Sequence, residues 1–574
     1  MSRLPSSERA RWTLVVAAGC LVMVAINVWW VATYRHGYPM DIDEAGYTMI
    51  AINDHLGFEN GGLSGWWDAI QSQTPHAPLL PALTSVVHLV STGVMQGFLV
   101  LILFGALLTL AAFGIGERLA GPRLGALAAL VVATSQGMFI FSREYIFALP
   151  TAALLSCAVY ALLLSDGLRL RRWAIACGAL LGLMLLARTM AIAFVPGVLV
   201  AALAAILTRG QGDLPKRFLN LGLLVASGVL VAATWYWNNI DPVVDYLTDF
   251  GYGSQAQNYG AEHSLLSWDR WNTVAGRMAG EDLLAPLAVL LFAALVALAV
   301  LVIRRLRASE DRGGTLLKLA STDAFAVLVV VLAGYAALTS SRNGGNGFSF
   351  PVSMLVPPLA VVALRHYRRA LIPAVALVGA IAAINLVAHL DLSSDLSRSR
   401  SVLVPGVGQT DWINGEPHAV VQVRRQVPGP PERFVEADRA WLDVDAQLAQ
   451  IFLEPTGPED LRPVAVFGVR SPIVNSNTVA LAALLNHREG IGLSQILAEP
   501  DDSVASYETQ LGNPLLGETV DLITTSANPG DYEPAPTQSK VEAAARRQGY
   551  RQIREIPLPD GRELRLWTKT PPAP

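Results

Sequence analysis

The feature that most limits what this chain can fold into is the recurrence of apolar stretches as long as a membrane-spanning helix. A helix of about 20 apolar residues crosses a hydrocarbon core. In lipid the backbone must satisfy its own hydrogen bonds, so a stretch of that length reads as helix. Eleven spans are predicted, at about 12–33, 95–116, 124–141, 149–166, 173–187, 190–207, 218–237, 283–303, 321–340, 350–364 and 370–390. With 52% of its 574 residues hydrophobic and 15% charged, the chain is not an ordinary soluble enzyme. Arg3, Arg9 and Arg11 precede the first run, which is too long for a signal-peptide core, so an uncleaved first helix is expected. Cys20, Cys157 and Cys177 all lie inside apolar stretches and imply no disulfide framework.

Charge orients the spans. If the N-terminus is cytoplasmic, the inner segments hold the basic clusters, among them Arg169/Arg171/Arg172, Arg304/Arg305/Arg307 and Arg365/Arg368/Arg369. The outer segments hold only scattered ones: Arg35, Arg143, Arg188, Arg270, Arg277 and Arg342. That asymmetry follows the positive-inside rule, and an odd number of spans puts the C-terminal region outside. A multi-pass protein of the plasma (inner) membrane is expected. Residues 76–92 are apolar but short, and Pro75, Pro78 and Pro81 lie at their start. A span there would reverse every later loop, so they are read as an interfacial helix within an outer loop of about 34–94, where Trp66 and Trp67 suit the headgroup plane.

Beyond about residue 390 charge and proline rise and the apolar runs shorten. Val427–Pro431 reads as a linker, Val464–Gly468 and Asp521–Thr525 as short buried strands, and Thr478–Asn486 and Lys540–Gly549 as helices. Ile553–Pro557 and Leu564–Thr568, around Pro559-Asp560-Gly561, read as a terminal hairpin. The fold class is therefore an α-helical polytopic membrane protein followed by a C-terminal extracytoplasmic α/β domain. That domain has no P-loop, GxGxxG or Cys/His cluster.

The candidate chemistry lies at the outer ends of the spans. Asp41-Ile42-Asp43-Glu44 follows the first span, behind Trp29, Trp30 and Tyr34, which mark the headgroup level. Carboxylates held against a bilayer are costly and point to function, although Asp43 also suits the cap of a short helix, Glu44–Asn53. Ser142-Arg143-Glu144 follows the third span, and Arg188 falls in the break between the fifth and sixth. A carboxylate can take a proton from an attacking hydroxyl, and arginine matches phosphate geometry bidentately. Together they suit chemistry on a lipid-borne anion.

Over about residues 10–390 the sequence resembles the GT-C superfamily of polytopic glycosyltransferases, which use polyprenyl-phosphate sugars. Within it, the chain is similar to the protein O-mannosyltransferases and the aminoarabinose transferases that modify lipid A. Asp43-Glu44-Ala45-Gly46-Tyr47 matches the family's Asp-Glu-x-x-Tyr, and His76-Ala77-Pro78-Leu79 stands where the family has Lys-Pro-Pro-Leu. Leu186-Ala187-Arg188-Thr189 falls at a basic position that is usually lysine. Ser341-Arg342 with Pro351 and Pro357-Pro358 resembles a late Ser-Lys…Pro…Pro stretch. In the second outer loop Arg143 and Pro150 match, but the family's aspartate is Ala148 here, and Glu144, one helical turn earlier, is the carboxylate that stands in for it.

The resemblance implies a transmembrane catalytic domain at 1–390 and an extracytoplasmic domain at 391–574. It implies Asp43, Glu44 and Glu144 as catalytic carboxylates, and Arg188, Arg342, Arg143 and His76 as the groups that hold the donor phosphate. Glu262 and His263 stand in the large outer loop where some relatives place a metal-binding histidine, which leaves a divalent metal ion open. The expected partners are a polyprenyl-phosphate sugar donor, a glycan, glycolipid or protein acceptor, and the lipid bilayer, with no nucleic acid. The alternative is a transporter or flippase of lipid-linked sugars, which should show midplane charges and repeated halves. Neither is evident in the spans.

Overall fold

The computed structural model describes residues 6–35, 37–72, 74–209, 213–253, 256, 267–341, 343–345, 347–390, 400–404, 408–413, 436–454, 464–469, 471, 473–498, 501–512, 520–526 and 535–569. The chain forms two compact units. The first is Met1–Trp29, Gly61–Leu83 and Phe98–Glu416; the second is Trp30–Asn60, Thr84–Gly97 and Pro417–Pro574.

The helices run, in chain order, α1 (Ser6–Tyr34), α2 (Ile42–Ile70), α3 (Leu79–His88), α4 (Met95–Ala120), α5 (Pro122–Ala133), α6 (Gln136–Phe141), α7 (Ala148–Leu164) and α8 (Arg171–Ala187). A 3-10 turn, Thr189–Phe194, leads into α9 (Val195–Arg209), followed by α10 (Leu214–Gly251) and α11 (Trp268–Arg277). A π-helical turn, Met278–Leu283, precedes α12 (Ala285–Arg307), α13 (Arg312–Ala320), α14 (Asp323–Ser340), α15 (Phe350–Ser353), α16 (Val356–His366) and α17 (Leu371–His389). Among the described residues seven helices are long and apolar enough to cross a membrane: Glu8–Tyr34, Met95–Ala120, Thr189–Arg209, Leu214–Gly251, Ala285–Arg307, Asp323–Ser340 and Leu371–His389. The four other expected spans are helical but shorter or interrupted. Those near 149–166 and 173–187 are α7 and α8, of 17 residues each. Those near 124–141 and 350–364 are each broken into two helices, α5–α6 and α15–α16.

The breaks have local causes. Between α5 and α6 the Ser135 hydroxyl turns back to the Val132 carbonyl, and Asn385 of α17 donates to the freed Thr134 carbonyl at 2.9 Å. A backbone group released inside an apolar layer needs such a partner. Pro351 and Pro357 sit in the first turns of α15 and α16, where the missing N–H costs nothing. Helices α8 and α10 approach at backbone contact. A Cβ on Gly178 would overlap the Leu224 carbonyl, and one on Gly182 would press on the Gly228 carbonyl, so small residues are what this crossing needs. At the opposite end from Arg188, Arg118 of α4 and Arg209 of α9 both donate to Asp323 of α14 at 2.8 Å, tying three helices with one carboxylate. Strands β1 (Arg400–Val404) and β2 (Gly408–Ile413) pair antiparallel in this unit.

The second unit contains α18 (Glu436–Leu453), β3 (Val464–Phe467), α19 (Ser476–His487), β4 (Leu493–Gln495), α20 (Val504–Leu511), β5 (Val520–Thr525), α21 (Gln538–Arg547), β6 (Arg551–Pro557) and β7 (Glu563–Thr568). The strands form one sheet in the order β4-β3-β5-β7-β6, with β3 parallel to β4 and β5, and β7 antiparallel to β5 and β6. Tyr507, Leu522, Val541, Ala544 and Trp567 bury its apolar core, and Gly561, at φ +83°, closes the β6–β7 turn. The same unit holds the N-terminal part of α2, which runs without a break to Gly62 (φ 60°, ψ −146°). The helix is thus far longer than the Glu44–Asn53 segment expected from the sequence. The linker reading of Val427–Pro431 lies outside the described residues.

Candidate functional site

The acidic turn belongs to the second unit. Asp41, not Asp43, caps α2: its Oδ1 accepts from the N–H groups of Asp43 at 3.0 Å and Glu44 at 2.9 Å. Glu44 reaches back to the Asp41 N–H at 3.3 Å, which completes a reciprocal cap. The Glu44 carboxylate also meets the Arg35 guanidinium at 2.5 Å, with both side chains at 1% exposure or less. Burial, and then the neighbouring Glu44 and Asp43 charges, push the Asp41 carboxyl well above the usual carboxylate range. Of the three acids only Asp43 stands at the surface. It rides on a first turn fixed from beneath by a cap and a buried ion pair.

About three turns further along α2 lies a second buried polar group. His55 Nε2 is 3.2 Å from Glu59, and its ring meets that of His88 edge-on at 5.7 Å. Beside it, burial lifts the Asp54 carboxyl to about 7. Burial also lowers the His88 pKa.

The first unit carries the arginines. Arg143 is fully buried; its Nε donates to Asn27 at 3.0 Å and its Nη1 to the His389 carbonyl at 2.9 Å. Glu144 is buried as well. Arg188 sits where α8 stops and the chain turns extended (φ −158°, ψ 123°). Its guanidinium lies between two aromatic rings, 3.9 Å from the Phe147 centroid and 3.5 Å from that of Phe348, and its Nη1 donates to the Gly347 carbonyl at 3.3 Å. Aromatic faces attract a cation without neutralising it. His76 is exposed, with Nδ1 3.0 Å from the Thr74 hydroxyl; the Thr74 N–H is in turn held by Asn239 of α10.

Sequence reasoning passed over two arginines on one face of α11. Arg270 is buried and its Nη2 donates to the Ser341 carbonyl at 2.5 Å and to that of Asn343 at 3.1 Å. Arg277 is half-buried two turns later. One nitrogen of each guanidinium lies 3.1 Å from the point where a Cβ on Gly344 would stand. Among the described residues no carboxylate forms an ion pair with either. Burial, and then repulsion by Arg277, lower the Arg270 pKa. The seven-residue spacing was visible in the sequence; that the loop folds into a helix was not. Arg35, read only as a scattered outer charge, is likewise the partner of Glu44.

Arg342, Glu262 and His263 lie outside the described residues. Among the described residues no group of three or more His, Cys, Asp or Glu side chains is placed to hold a metal ion.

Residues 75–237 match the family model of the dolichyl-phosphate-mannose-protein mannosyltransferases. That stretch includes His76, Arg143, Glu144 and Arg188 but not the acidic turn. Among solved structures, the chain is similar to ArnT from Cupriavidus metallidurans in the apo state, at 15% identity over 97% of this chain and 98% of that one, with a TM-score of 0.53. The same protein bound to undecaprenyl phosphate matches at 16% identity over the same shares, with a TM-score of 0.50. A comparison with curated protein sequences found no match. The fold is that of the GT-C glycosyltransferases, as the motifs suggested, and the protein is a multi-pass membrane protein.

Proposed function

We propose that the protein transfers a sugar from a polyprenyl-phosphate donor to a hydroxyl of a glycolipid, cell-wall glycan or protein at the outer face of the plasma membrane. Its N-terminus is then cytoplasmic and its C-terminal α/β domain extracytoplasmic. The observation that carries this reading is the exposed Asp43 on a rigid, buried support in a chain with the GT-C glycosyltransferase fold. Asp43 takes the proton of the acceptor hydroxyl as its oxygen bonds to the sugar C1. The C1–O bond to phosphate breaks, and polyprenyl phosphate leaves with the electron pair.

Guanidinium groups stabilise the charge that grows on the departing phosphate. Arg188 takes that role, joined by Arg277 and Arg270 at the glycine-rich loop, with His76 as a further donor. Arg342 keeps the role the resemblance gives it. Arg143 and Glu144 belong to the buried framework of the first unit, and Glu44 to that of the second. A cavity of about 690 Å³ between α8, α9 and α10 is lined by Leu181, Leu185, Ile192, Val229, Tyr236 and Leu247. Arg188 lies between Leu185 and Ile192 in the chain, so an isoprenoid tail in the cavity would bring its phosphate towards that arginine. Undecaprenyl phosphate bound to ArnT is in keeping with a donor of this class.

The test is a panel of labelled polyprenyl-phosphate sugars offered to membranes with and without the protein. Consumption of one donor, with release of polyprenyl phosphate, is expected. Movement of a lipid-linked sugar across vesicles without consumption would replace this reading with the transporter.

A further inference from the structure

The acidic turn is not held by its own loop alone. Asn477, in the first turn of α19 some 430 residues away, donates through Nδ2 to the carbonyl of Ile42 at 2.8 Å. The same Nδ2 lies 2.9 Å from where a Cβ on Gly46 would stand, closer than side-chain carbons come, so the approach requires glycine there. Asn477 is itself fixed. Its N–H donates to the Asn475 side chain at 2.9 Å, Asn475 and Thr478 form a reciprocal cap, and Thr478 donates to the buried Asp445 of α18 at 3.1 Å. One more tie joins the same parts of the unit: Arg488 pairs with Glu59 of α2.

We propose that Asn477 is a positioning residue for Asp43, and that through it the C-terminal α/β domain sets the geometry of the reacting carboxylate. Ile42 is the residue before Asp43, and its carbonyl lies in the first turn of α2, next to that of Asp41, which accepts the first bond of the helical ladder from Ala45 at 2.9 Å. A donor seated on that carbonyl fixes the rotation of the first turn and hence the direction in which Asp43 projects. Orientation at this scale carries large rate factors, because a carboxylate displaced by about 1 Å costs on the order of a hundredfold. The geometry also assigns Gly46 its purpose: it clears the path for the amide of Asn477. The proposal rests on the glycosyltransferase reading of Asp43.

The experiment uses the full-length protein in membranes with the donor it consumes. In Asn477→Asp the side chain keeps its size but turns an oxygen towards the Ile42 carbonyl; in Gly46→Ala a methyl group displaces the same amide from the other side. Each is expected to lower kcat by about ten- to a hundredfold, with KM for the donor within about twofold of native. Because both changes break one contact, Gly46→Ala combined with Asn477→Asp should be no worse than the poorer single variant. A readout independent of catalysis is amide hydrogen exchange at residues 42–47, which should accelerate in Asn477→Asp. Native kcat in both single variants, a loss confined to KM, or losses that multiply in the double variant would overturn the proposal. So would unchanged exchange at the turn. If the native protein consumes no donor, it is the glycosyltransferase reading that fails, and the exchange result still decides whether Asn477 holds the turn.

Discussion

Arg35 and the pair Arg270/Arg277 show two ways of keeping guanidinium charge away from water. Arg35 faces Glu44 at 2.5 Å, and the two charges cancel in a pair that water does not reach. Arg270 and Arg277 meet at Gly344 beside backbone carbonyls, with no carboxylate in ion-pair contact among the described residues. Neutral partners satisfy N–H donors but leave the charge in place. The first arrangement is finished and can only support; the second leaves positive charge that the proposed function uses to hold a phosphate. The same contrast separates Glu44, buried and paired, from Asp43, one residue away and exposed.

The largest effect that would sharpen this contrast is on stability. Glu44→Gln leaves Arg35 buried without its counter-charge and should cost about 3–5 kcal/mol, read as a lower thermal unfolding midpoint with loss of folded protein at growth temperature. If Glu44→Gln is as stable as native, the pair is not the support described here. Arg277→Ala should barely move the unfolding midpoint. It should weaken binding of the polyprenyl-phosphate product by about 1.5–3 kcal/mol, measured as an increase in its inhibition constant. A variant that unfolds early but binds product normally would place Arg277 with Arg35.

Asp54 extends the contrast to pH. Its pKa is raised to about 7 from an ordinary value of 3.8, so the folded state binds the proton more tightly than the unfolded chain. Stability from this group is therefore full below pH 3.8 and is lost as pH rises through 7. Asp54→Asn should flatten the slope of unfolding midpoint against pH across that window; an unchanged slope would show that the carboxyl is not buried as described. Smallest of all, Asp41→Ala removes only the cap and should cost about 0.5–2 kcal/mol, well short of the Glu44→Gln loss.

Much of the fold was legible in the sequence because it follows from local patterns. The apolar runs became helices, and the strands around Pro559-Asp560-Gly561 became the terminal hairpin, with Gly561 in the left-handed region. The acidic turn was half legible. Asp41-x-x-Glu44 has the spacing of a reciprocal cap, which Asp43-x-x-Gly46 lacks, so the choice of Asp41 over Asp43 was available from the residues alone. What no local pattern carries is partnership at long range. Arg35 becomes structural only once Glu44 is folded over it, and Asn477 reaches the turn from a helix whose sequence says nothing about Ile42. The break at Arg188 was legible, but the interruption of the span at 134–135 was hidden for a related reason: it is tolerated because a distant side chain, Asn385, satisfies the backbone it frees.

The most direct test of the account is single-turnover transfer from the donor that native protein consumes, measured with Asp43→Asn in membranes where its folding matches native. An exposed carboxylate acting as general base predicts a fall of about 10²–10⁴-fold in the rate of transfer, with donor binding retained. Transfer at the native rate would contradict it, leaving Asp43 a surface charge on a well-capped helix and moving the reacting base elsewhere.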